Sequence, residues 1–115
     1  MLKTSVINVS TIPSGGKYYT LGGFANGEHP AVVDVQVSWD GLDGFDGYFK
    51  FCQRHVSGLN WTDVTGLQTT MGSIDGSESL INHDFTSNLV GIFIDKGSAK
   101  FGEISIRVSY VKQAF

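Results

Sequence analysis

The stretch Ala31-Val32-Val33-Asp34-Val35-Gln36-Val37-Ser38-Trp39 decides the fold class. Val33, Val35, Val37 and Trp39 occupy alternate positions, and Asp34, Gln36 and Ser38 fill those between. In an extended chain successive side chains point to opposite faces, so this spacing predicts a strand with one buried and one wet face. A helix would scatter the same valines around its circumference.

The pattern recurs near the end of the chain, where Ile104, Ile106, Val108 and Tyr110 alternate with Glu103, Ser105, Arg107 and Ser109. Between these strands, Leu89 to Asp95 is a short apolar run without alternation, as expected of a central strand covered on both sides. The Lys96-Gly97-Ser98-Ala99 turn after it predicts an antiparallel hairpin between Val90–Asp95 and Phe101–Val111. Upstream, Thr4 to Thr11 is β-branched and ends at Pro13-Ser14-Gly15-Gly16, a strong turn signal. Lys17 to Leu21, Tyr48 to Arg54 and Trp61 to Thr65 read as further short strands, and Thr69 to Leu80 holds one or two more. In the Tyr48 strand, Phe49 and Phe51 are expected inward, with Tyr48, Lys50 and Cys52 outward. Only Ser79 to Phe85 could form a turn of helix, and Asn82, His83 and Asp84 favour helix poorly.

Fifteen glycines and turn signals every eight to twelve residues complete an all-β reading. The expectation is a single antiparallel β-sandwich over residues 1–115, jelly-roll or Ig-like, with seven to nine strands. The length suits one core that needs neither disulfide nor metal. Eight basic against eleven acidic residues leave a net charge of −3, which offers no attraction to nucleic acid or an anionic membrane. Mean hydropathy near zero argues against both a membrane protein and a disordered one. The opening residues lack the apolar run of a secretory signal, so synthesis in a cytoplasm is expected.

Candidate chemistry is sparse. Asp40-Gly41, Asp43-Gly44 and Asp46-Gly47 repeat at three-residue spacing. Three carboxylates on a flexible loop could offer Ca²⁺ the hard oxygen ligands it prefers, although the EF-hand spacing and its closing Glu are missing. Asp-Gly is also a standard turn pair, and a structural turn is the stronger expectation. His29, His55 and His83 are far apart, and none has a partner at metal-ligand spacing. Cys52 is the only cysteine, and with His55 it makes a CxxH pair whose members face opposite sides of a strand, so a buried or half-buried thiol acting as a small hydrophobe is the stronger expectation. No catalytic residue and no cofactor is expected. Tyr18, Tyr19, Phe24, Phe45, Tyr48 and Trp61 fall near turns or outward faces, so a ring platform for carbohydrate is one expectation for them. Core packing and a protein–protein interface are the others.

The segment Phe49-Lys50-Phe51-Cys52-Gln53-Arg54, followed by Gly58-Leu59-Asn60-Trp61-Thr62-Asp63-Val64, resembles an arrangement found in small β-sandwich virion proteins of tailed bacteriophages. There a Ser-x-Asp-Gly turn leads into Asn-Trp-x-Asp-Leu/Val. Phe85 to Gly97 is similar to the pattern Phe-x-Ser-x-x-Val-x-Ile of those proteins, and Gly102-Glu103-Ile104-Ser105-Ile106 closes the match. The likeness spans roughly Phe49 to Val111. It departs at Arg54-His55-Val56-Ser57, where the Ser-Asp-Gly turn would fall. The resemblance implies a virion structural protein that decorates a capsid, lines a tail or builds a fibre, with other virion proteins or further copies of itself as partners.

Assembly surfaces are expected at both ends of the sequence. Thr4 to Thr11 contains no charge and no proline, the devices that usually protect a sheet edge, so it lies inside a sheet or pairs with another chain. Val6 and Val9 are its candidate contact residues. Phe115 has nothing after it to bury its ring, and a neighbouring subunit would receive it. The alternative function is a carbohydrate- or surface-binding module.

Overall fold

The computed structural model describes residues 2–23, 28–55, 58, 60–64, 68–82 and 89–114. Nine strands follow one another in these residues: β1 Leu2–Asn8, β2 Lys17–Gly23, β3 Glu28–Asp40, β4 Tyr48–Arg54, β5 Thr62–Asp63, β6 Thr69–Thr70, β7 Gly76–Asn82, β8 Leu89–Asp95 and β9 Glu103–Ala114. They form two antiparallel sheets. One runs β1-β9-β3-β7; the other runs β2-β8-β4-β5, with β6 also pairing β4.

The pairing is nested. β1 pairs β9, β2 pairs β8, β3 pairs β7, and β4 pairs both β5 and β6. A long hairpin with these partners, rolled so that β3 meets β9 and β4 meets β8, is a jelly roll. This decides between the two sandwich topologies that the sequence leaves open.

Alternation builds the core. Val35, Val37 and Trp39 of β3 are at most 7% exposed, as are Ile104, Ile106 and Val108 of β9. Asp34 and Gln36 stand outside. From the opposite sheet, Leu21, Phe49, Phe51, Val90, Ile92 and Ile94 close the interior. Trp39 and Phe49 meet edge-on at 6.3 Å, and Phe49 and Phe51 at 6.0 Å, the arrangement that aromatic quadrupoles favour.

Two strand expectations need correction. β8 and β9 do not form a hairpin, because they lie in opposite sheets. Residues 96–102 carry the chain across the sandwich, a gap of about 10 Å that so short a link spans easily. Lys-Gly-Ser marks a turn in either case, so the local signal could not separate the two. Second, β1 stops at Asn8, whose side chain accepts from Ser10 N–H at 3.1 Å and starts a 3-10 turn over Val9–Thr11. The expected one or two strands within Thr69 to Leu80 are β6 and β7, Ser79 to Asn82 belonging to β7, and residues 83–88 lie outside the described set.

Candidate functional site

The Asp40–Gly47 loop divides its carboxylates among separate partners. Lys100 N–H and Phe101 N–H donate to Asp43 Oδ1 at 2.7 and 3.0 Å. Ser98 donates to Asp46 Oδ1 from both its N–H and its hydroxyl, each at 2.7 Å. These bonds hold both carboxyls below the ordinary value of 3.8. The two aspartates therefore act as clips that fasten the loop before β4 to the link between β8 and β9. Gly97 permits the approach: its φ is +59°, and a Cβ there would fall 2.5 Å from Asp46 Oδ1.

Asp40 joins neither clip and instead hydrogen-bonds to the Asp75 carboxyl. That hydrogen bond raises Asp40 and lowers Asp75, which also accepts from Gly41 N–H at 3.2 Å. The calcium candidate thus resolves into two clips and a carboxyl pair. No group of three or more His, Cys, Asp or Glu converges among the described residues.

A cluster of rings covers the outer face of the second sheet. Tyr18 of β2 and Phe93 of β8 are register partners whose rings lie 4.7 Å apart. Tyr18 also stacks on Trp61 at 5.8 Å with planes 6° apart, and Tyr48 of β4 approaches Phe93 at 6.0 Å. Two cations sit over this shelf: Arg54 at 5.0 Å from the Trp61 ring and Lys50 at 5.4 Å from the Phe93 ring. Lys50 reaches Asp63 at 3.3 Å. Burial alone would lower its pKa, but the Asp63 hydrogen bond and charge outweigh this and raise it.

The shelf gathers three of the six aromatics named from the sequence: Tyr18, Tyr48 and Trp61. Tyr19 turns inward and packs against the core. Phe45 is exposed on the loop before β4, and Phe24 lies outside the described residues. Sequence reasoning missed Phe93, hidden in an apolar run read as buried on both sides. The signal was present: Val90, Ile92 and Ile94 alternate with Gly91 and Phe93, and the second set faces out.

Cys52 bears out the expectation of a buried thiol: it lies on the outward side of β4 and is fully buried. Its register neighbour Gly91 lies beneath Trp61, and this indole makes a small second core of that patch. Burial, followed by the nearby Asp63 charge, pushes the thiol up to about 12. His55 is exposed at the end of β4, His29 is a backbone partner of Gln113 in β3, and His83 is outside the described residues.

Of the three contact residues named for assembly, Val6 is 63% exposed on β1. Val9 is a correction: it is completely buried, on the inward side that Ile7 shares, and its N–H donates to Gly102 O at 2.9 Å. Phe115 lies outside the described residues. Among the described residues the first sheet ends at β1, so this segment is an edge rather than an interior strand. A second apolar group stands at one end of the sandwich, where Phe45, Ile74 and Phe101 are each about half exposed or more.

No protein-family model matches this chain, and no curated protein matches it.

Proposed function

We propose that this protein is a non-catalytic structural subunit of a virus particle, a capsid decoration or tail- or fibre-associated protein that works through contacts with other chains. The observation that carries the reading is the open edge at β1. An extended strand with unpaired N–H and C=O groups is a template for another strand, and soluble proteins normally blunt it. Here Thr4 to Asn8 has neither charge nor proline, and Val6 presents its side chain to water. The likeness of Phe49 to Val111 to phage virion proteins supports the particle as the setting. Jelly rolls serve capsids and lectins alike, so the architecture suits the reading without deciding it.

Native mass measurement tests it. The purified chain, mixed with the other components of its source, should move into a high-mass assembly. A chain that stays monomeric with and without them contradicts the proposal.

The ring shelf favours a second reading, a carbohydrate-binding module. Tyr18, 40% exposed, could stack on the apolar face of a sugar while Lys50 and Asp63 bond its hydroxyls. Against this, the rings already stack on one another and carry Arg54 and Lys50, so much of their surface is used. Quenching of tryptophan fluorescence by added glycans would favour the module.

A further inference from the structure

We propose that the partner at the open edge is a second copy of this chain, with β1 pairing antiparallel to its own counterpart about a two-fold axis at Val6. The inference rests on the assembly reading above and goes on to name the partner and the register.

Among the described residues, three of the four sheet edges are defended. β7 carries the exposed Glu78 in its interior. β2 begins at Lys17 and breaks its register between Thr20 and Gly22. β5 and β6 are only two residues long. Charges, bulges and short length are the usual means of preventing edge-to-edge pairing. β1 has none of them beyond Lys3 at its start: it pairs β9 without a register shift from Leu2↔Ser109 to Asn8↔Glu103. The contrast within one molecule singles out this edge.

The sequence of β1 is complementary to itself. With Val6 opposite Val6 of the second copy, Thr4 meets Asn8 and Ser5 meets Ile7. Side chains at these positions share faces, so the exposed Val6 covers its own equivalent and two polar side chains that can hydrogen-bond stand beside it. This register holds whether Val6 occupies a hydrogen-bonded or a non-hydrogen-bonded site, because an antiparallel two-fold can pass through either. The two Lys3 residues end up about 20 Å apart along the ribbon, well beyond the screening length at physiological salt. Symmetric self-pairing of this kind is the commonest route to a closed dimer. The first sheet would then continue through β7-β3-β9-β1 into the same strands of the second copy.

Cysteine cross-linking tests the register. Antiparallel neighbours lie within the Cα separation that a disulfide requires. Cys52 is buried with its thiol pushed up to about 12, so it stays out of the reaction. Under oxidised glutathione, Val6→Cys should convert largely to a covalent dimer. Thr4→Cys and Asn8→Cys should each remain monomeric alone and give a mixed dimer when combined. Self-linking of Thr4→Cys with none at Val6 overturns the register. No cross-link in any variant, each with a wild-type melting temperature, overturns the self-pairing. If such chains still enter their particle, only the self-pairing has failed; if they do not, the assembly reading fails too.

Discussion

Trp61 lies across Gly91 so closely that a Cβ at residue 91 would come within 2.6 Å of its Cζ3 atom and 2.8 Å of Cη2. The glycine is what allows a bulky indole to pack down onto the outer face of a sheet, beside Tyr18 and beneath Arg54. Gly91→Ala should therefore displace Trp61 and cost about 1–3 kcal/mol, the usual range for overpacking. At Gly72 an added Cβ meets nothing within 4 Å, and Gly72→Ala should stay within about 0.5 kcal/mol of wild type. Urea denaturation followed by tryptophan fluorescence measures both. Equal stabilities would show that the shelf is loosely packed.

The alternation of β3 makes a sharper contrast. Val35 is 1% exposed and Gln36 stands on the wet face. Val35→Asp buries an unpaired charge and should cost several kcal/mol, on the order of 3–5, or prevent folding. Gln36→Asp should change stability by less than about 1 kcal/mol. Thermal melts that shift equally for the two would contradict the orientation of the strand.

How far the sequence carried the fold follows from these same residues. Strands with one wet face were legible because their alternation is a direct record of burial. β4 and β8 were placed to the residue, and β3 and β9 were found but run longer than expected. Which strands become neighbours was not legible. The β8–β9 hairpin failed because a turn motif reports only that the chain bends, while the link that crosses to the other sheet is fastened by Asp43 and Asp46, more than fifty residues away. Val9 failed for a different reason: it stands three residues from Val6, so alternation puts it on the inward side with Ser5 and Ile7 while Val6 faces out. The shelf was half legible, since Tyr18, Tyr48 and Trp61 stood out while Phe93 was masked by its apolar neighbours.

The aspartates of the loop before β4 should respond to pH with opposite signs. Asp43 and Asp46 have folded-state values below 3.8, so their contribution is fully present above that value. It drains away as pH falls below about 4 and through the lower folded-state values. Asp40 is raised by its bond to Asp75, so keeping it ionised near neutral pH opposes folding, and that cost is relieved as pH falls. At pH 7, Asp43→Asn should lower the melting temperature and Asp40→Asn should leave it equal or raise it. Below pH 3 both differences should shrink. EDTA should change neither melt, because each carboxylate already has its own partner; a fall of several degrees on chelation would restore the loop as a calcium site.

Cys52 gives a test of packing on the outer face. A thiol pushed up to about 12 and fully buried holds almost no thiolate at neutral pH. Ellman's reagent at pH 8 should leave the native protein unmodified for hours and titrate one thiol at once in guanidinium. Gly91→Ala, which lifts Trp61, should speed the native reaction at least tenfold. Rapid labelling of the native wild type would mean that the indole does not seal this patch.

The central claim is that β1 is an assembly edge, and amide hydrogen exchange reads it most directly. In the isolated chain, β9 is the one strand paired with β1 among the described residues, so alternate amides between Thr4 and Asn8 should exchange within seconds. In the assembled state the same amides should become protected by orders of magnitude, as the second copy supplies the missing acceptors. Unchanged exchange over residues 4–8, with new protection confined to the ring shelf or to the loops that carry Phe45, Ile74 and Phe101, would contradict it.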